Sequence, residues 1–145
     1  MGEDSLIAKL NVIDSEIKHE DDLIGQRTTW LVMSQSFLFG AFVALVGQTG
    51  GVSAAARLAK LLLIVIPLVG VMLPILVLAA VGAAMYAISQ WRAERNRIFE
   101  MPEAKQLDWP RLENRGLVTV LGQLLPVAVS VGFALAWIVI LMKMV

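Results

Sequence analysis

The sequence predicts an all-α integral membrane protein with three transmembrane helices, an N-terminal amphipathic helix and a cytosolic helical extension after the second span. Three observations carry this expectation. Leu61 to Trp91 runs without an ionisable side chain other than Tyr86; at 1.5 Å per residue a helix of this length covers about 45 Å, against about 30 Å of hydrocarbon in a bilayer. Hydrophobic residues make up 58% of the 145-residue chain and its mean hydropathy is +0.75, too apolar for a soluble domain of this size. The charged residues gather in the N-terminal third, a central loop and a few isolated positions.

Two domains are expected, an N-terminal cytosolic helix over 1–27 and a membrane domain over 28–142 with spans at about 28–48, 61–91 and 117–142 and a cytosolic loop at 92–116. In the first, Leu6, Leu10, Ile13, Ile17 and Ile24 recur at steps of three and four, with Glu20 in the one polar position of the series. Such a seam belongs to an amphipathic helix. Asp4 or Ser5 suits its N-cap. The seam has three uses open to it: packing on the cytosolic loop, self-association, or adsorption to the membrane surface, the last disfavoured by an acidic polar face. The acidic start lacks a basic segment leading into an apolar core, so no cleaved signal peptide is expected. Leu6 stands where a myristoylation signal needs Ser or Thr.

The first span, Thr28 to Gln48, opens on Trp30, placed where an indole keeps its ring among headgroups. Ser36, Gly40 and Ala44 give it a face that another helix backbone can approach closely. Arg57 and Lys60 then lead into the long central stretch, in which Pro67, Gly70 and Pro74 predict a kink. Either residues 53–66 lie along the interface before the span proper, or one tilted helix covers everything; a hairpin of two short spans is too short of apolar residues. Ala79, Ala83 and Ala87 form a second small-residue face. The helix is expected to continue through Phe99 and stop near Pro102, because a proline disfavours helical geometry in the residue before it. Leu117 to Met142 is the third span, with Gln123, Pro126 and Ser130 inside it, Trp137 near its far end, and Ala128, Gly132 and Ala136 as a third small-residue face.

Orientation follows from the cations. In a three-span arrangement Lys9, Lys18, Arg27, Arg92, Arg95, Arg97, Lys105, Arg111 and Arg115 share one side, and Arg57, Lys60 and Lys143 the other. Nine against three places the N-terminus in the cytoplasm and the C-terminus outside. Trp30, Trp91 and Trp109 then mark one interface and Trp137 the other.

The run HEDDLIGQRTTWLVMSQSFLF, His19 to Phe39, resembles a group of small, uncharacterised bacterial inner-membrane proteins. These share an acidic cluster, then Leu-Ile, Arg, Trp and an apolar span of the Ser-Gln-Phe-Leu-Phe kind. The resemblance covers about a seventh of the chain. It implies a bacterial inner-membrane location and no particular activity.

Few residues offer chemistry. Glu16, His19 and Glu20 share a helical face at a spacing that suits a divalent metal, but no second Glu-x-x-His exists to complete a carboxylate-bridged site. No metal or cofactor is expected. Glu20, Asp21 and Asp22 are expected to pair with Arg27 or with Arg92, Arg95 and Arg97 as juxtamembrane ion pairs. Gln35 and Gln123, each with a primary amide inside a span, need partners between helices or along a polar pathway, with Ser34, Ser130 and Thr119 nearby. Catalysis is not expected: Cys is absent, the sole His lies outside the spans, and no carboxylate pair or phosphate-cradling glycine loop occurs. A formal net charge of zero gives no overall basic excess for binding nucleic acid. The partners expected are the lipid bilayer and further copies of the chain. The function expected is a homo-oligomeric pore or channel with a mostly apolar pathway; the alternative is a non-conducting accessory or scaffold subunit of a larger membrane complex.

Overall fold

No proline precedes Pro67, and the isolated Gly25 weakens a helix without ending it. In the computed structural model, which describes residues 3–47, 53–102 and 116–144, the first helix accordingly runs unbroken. Helix α1 covers Glu3–Val46, about 66 Å at the usual rise. The separate N-terminal amphipathic helix expected over 1–27 is therefore corrected: it is the first half of one rod that continues into the first span. The boundary read from the change in composition near Arg27 is a change of surroundings along a continuous helix.

Helix α2 covers Ala54–Glu100, about 70 Å. Ser53 starts it in an extended conformation, its hydroxyl accepting from the Ala56 N–H at 3.2 Å. Met101 ends it, donating its N–H to Ile98 O at 3.1 Å just ahead of Pro102. Pro67 and Pro74 both lie inside this single helix, and the expected cytosolic extension is simply its last turns. Helix α3 covers Gly116–Met144 and holds Pro126. All three helices are long and apolar enough to cross a membrane. The expected turn at 48–51 and most of the loop at 92–116 lie outside the described residues.

Helix α2 is central, with α1 and α3 lying mainly against it. Gln35 meets Gly70, Arg27 meets Ala80 and Asp14 meets Arg95, which fixes α1 and α2 as antiparallel. Two apolar clusters hold the rods together. One joins Ile24 and Leu31 of α1 to Val77, Val81, Ala84 and Ile88 of α2, with Val127 and Phe133 of α3 against it. The other joins Leu6, Leu10 and Ile13 to Ile98, with Ile17, Trp91 and Phe99 around them. The seam read in the sequence is thus covered by α2 of the same chain. Four of its five residues, Leu6, Leu10, Ile13 and Ile24, are buried.

Beside the second cluster Lys9 pairs with Glu94 at 2.9 Å and Asp14 with Arg95 at 3.2 Å. The ion-pair expectation is corrected here. Among the described residues none of Glu20, Asp21 or Asp22 is within pairing distance of Arg27, Arg92, Arg95 or Arg97. The partner of Arg95 is two turns nearer the N-terminus, because the close packing of the apolar seam sets the helix register and exposed charges follow it. Asp21 of α1 and Arg92 of α2 instead both line a cleft of about 480 Å³ between the helices.

The hydrogen bond and charge of Lys9 hold the Glu94 carboxyl below its ordinary value of 4.5, with burial opposing and Arg97 adding to the shift. A carboxylate depressed in the folded state contributes its stabilisation above the ordinary value and loses it as the pH falls through the folded one. Amide exchange over residues 3–14, corrected for intrinsic pH dependence, is therefore expected to speed up below pH 4.5, and Glu94→Gln to abolish that acid response.

Candidate functional site

The clearest built feature is a polar chain that crosses all three helices where the bundle is otherwise apolar. It begins with a missing atom. Proline has no backbone N–H, so the carbonyl four residues before Pro74, that of Gly70, loses its helical partner. A carbonyl left bare in an apolar interior costs about 1–3 kcal/mol. Gln35 on α1 supplies the donor, its Nε2 lying 3.2 Å from Gly70 O. The other end of the same amide, Oε1, accepts the indole N–H of Trp137 on α3. Gln35 and Trp137 are both fully buried. One side chain thus completes a broken turn of α2 and fastens α3 to α1.

Shape complements these bonds. Phe39 stacks on the Trp137 ring at a centroid distance of 4.2 Å and an interplanar angle of 6°. Phe42 meets the ring edge-on at 5.7 Å, and Phe39 also touches Phe133 at 6.2 Å. On the α2 side the ring lies against Gly70, where a Cβ would collide with its Cδ2, Nε1 and Cε2 atoms. Glycine at 70 lets the indole reach the amide.

This places several sequence candidates. Gln35 spends its amide within the chain. Ser130 is buried and donates to Pro126 O at 2.9 Å, while half-buried Ser34 donates to Leu31 O at 2.9 Å. Both hydroxyls are satisfied by their own helices, the usual recourse of Ser in an apolar helix. The side chains of Gln123 and Thr119 lie outside the described residues. Trp137, expected to mark the far membrane interface, is instead the buried centre of the bundle, since its N–H has an acceptor there and its faces have apolar neighbours. Trp30 is 57% exposed.

The small-residue faces point away from the bundle. Ser36, Gly40, Ala44, Ala79, Ala83, Ala128 and Gly132 are exposed, and Ala87 and Ala136 half-buried. A Cβ at Gly40 or Gly132 would meet nothing. The glycine that does admit a close neighbour, Gly70, belongs to no small-residue repeat. Its signal was the proline four residues later.

Among the described residues no group of three or more His, Asp or Glu is arranged to hold a metal ion. Glu16 and Glu20 are half-buried and His19 is exposed. No family model, curated protein or solved structure matches the chain.

Replacing Gln35 by Leu strands both the Gly70 carbonyl and the Trp137 N–H. The expected cost is about 1–2 kcal/mol, between the values for interhelical bonds in membranes and for unsatisfied buried groups. In a Pro74→Ala background the Gly70 carbonyl regains a helical donor, so the same substitution is expected to cost less; denaturant unfolding in mixed micelles, run as a double-mutant cycle, measures the difference. Gly70→Ala is expected to destabilise by about 1–3 kcal/mol through overpacking. It should also shift tryptophan emission, a change that Gly40→Ala does not produce.

Proposed function

We propose that this chain is an integral membrane assembly subunit, non-enzymatic, that associates with further copies of itself through the outward small-residue faces of its spans. The observation that carries the proposal is a division of labour among its residues. Gln35, Trp137 and Gly70, which make the bundle specific, are used up within one chain, whereas Ser36, Gly40, Ala44, Ala79, Ala83, Ala128 and Gly132 are exposed. In lipid, where hydrocarbon outside is as apolar as leucine, helices associate by close backbone approach, and exposed small residues permit it.

In this proposal the N-terminal half of α1 and the last turns of α2 form a cytosolic ledge, the acidic cluster and most of the cations lie on the same side, and the C-terminus is outside. The membrane is the inner membrane of a bacterium, as the resemblance of His19 to Phe39 implies. A larger membrane complex that takes up the same faces is the alternative partner.

Conduction, the first expectation from the sequence, would have to run between protomers. Its strongest lining candidates are engaged elsewhere, since Gln35 and Ser130 are buried and hydrogen-bonded. Planar-bilayer recording of the purified protein separates a conducting assembly from a silent one.

Native mass spectrometry from mild detergent tests the proposal itself. A closed set of identical chains is expected. Gly40→Ile is expected to reduce it to smaller species while leaving the unfolding midpoint within about 0.5 kcal/mol of the parent, as for substitutions that touch nothing in the monomer. A monomer under all mild conditions would refute self-association, and a monomer carried by a foreign subunit would select the alternative.

A further inference from the structure

Arg27 is the last charge before the uncharged first span, and its surroundings on α2 are unusual for a cation. Its Nη1 donates to Ala80 O at 3.1 Å, across the helix interface, and the side chain is half-buried. Among the described residues no carboxylate is within ion-pair distance of it. A guanidinium carries five N–H donors; one is spent on Ala80, and that bond fixes the fork in place.

Arg27 stands at one end of a groove of about 550 Å³ between α1 and α2, lined also by Gln26, Trp30, Leu73, Leu76, Val77 and Ala80. The antiparallel register gives the groove a direction. Arg27 is level with Ala80 and Gln35 with Gly70, so the path from Ala80 to Leu73 leads about 10 Å from the cation into the apolar zone. The groove is therefore cationic and polar at its mouth and hydrocarbon below. Trp30 flanks it at headgroup depth, where an indole N–H finds polar company.

We infer that this groove binds a glycerophospholipid, with its phosphodiester on Arg27 and one acyl chain along Leu73, Leu76 and Val77. Charge complementarity selects that occupant: the fixed fork suits a phosphate oxygen pair, and the apolar floor suits the chain attached to it. Glu20, Asp21 and Asp22 lie one to two turns farther from the bilayer, so recognition rests on the phosphodiester rather than on a net negative headgroup. The inference rests on the membrane placement of Arg27 proposed above.

The test uses full-length protein stripped of lipid in detergent and titrated, under native mass spectrometry, with phosphatidylglycerol, with diacylglycerol of the same chains, and with inorganic phosphate. Phosphatidylglycerol is expected to bind at least 10-fold more tightly than either of the others. Arg27→Gln is expected to lose that preference, and Arg57→Gln, at the other end of α2, to keep it. Leu76→Trp fills the groove from an exposed position and is expected to lose the preference with Arg27 intact, which covers the case in which the Arg27 variant does not fold. Equal binding of diacylglycerol or of free phosphate would overturn the inference, as would undiminished phospholipid binding by Leu76→Trp or by folded Arg27→Gln. A second copy of the chain in the groove, seen as a dimer that phospholipid does not displace, would overturn it too. If lipid selectivity fails while the oligomer persists, the assembly proposal stands and this site alone falls.

Discussion

The bundle depends on a carbonyl that lost its donor. Pro74 denies the Gly70 oxygen the bond that an ordinary turn of a helix provides, and in an apolar interior that deficit is met by another element. Gln35 meets it and in doing so exposes its own oxygen to a third helix, where Trp137 answers. The apolar clusters set how the rods lie along one another, and the donor–acceptor chain fastens all three at one level. The proline, costly in a lone helix, becomes the reason for that fastening.

Gly70 joins the polar and steric sides of this arrangement. Its carbonyl is the acceptor, and its bare Cα is the surface on which the indole lies. A side chain there would push Trp137 off both the amide and the Phe39 ring stacked on it. Elsewhere the spans handle their polar groups locally: Thr28, Thr29, Ser36 and Ser89 each donate to a carbonyl three or four residues back in the same helix. Such hydroxyls ask nothing of neighbouring helices, whereas the amide and the indole link α1 to both α2 and α3.

Much of this was legible in the residues. Helicity, span number and the apolar seam of the first 24 residues follow from composition and spacing, and the amide at Gln35 calls for a partner between helices or along a polar pathway. The exact partner was not legible, because it follows from a backbone vacancy at Gly70 that shows in sequence only as a proline four positions on. The burial of Trp137 escapes the sequence for a related reason. An indole near the end of a span ordinarily sits among headgroups, and only the nearness of Gln35, 102 positions away, makes burial favourable. The continuity of α1 was hidden by a shift from charged to apolar composition near Arg27, which alters what the helix faces but breaks no hydrogen bond. The ion pairs differ from those the charge pattern suggests because register, set by Leu10, Ile13 and Ile98, decides which charges meet.

Helices α1 and α2 are each at least half again as long as α3, and both pass without a break from the ledge at Leu10 and Ile98 to the clasp at Gln35 and Gly70. Two long rods joined at both places form one paired unit. Between these two places α1 holds no proline, and α2 lacks a helical bond only where Pro74 stands beside the clasp. In the proposed membrane assembly, a displacement at the outer end would thus be felt within the spans.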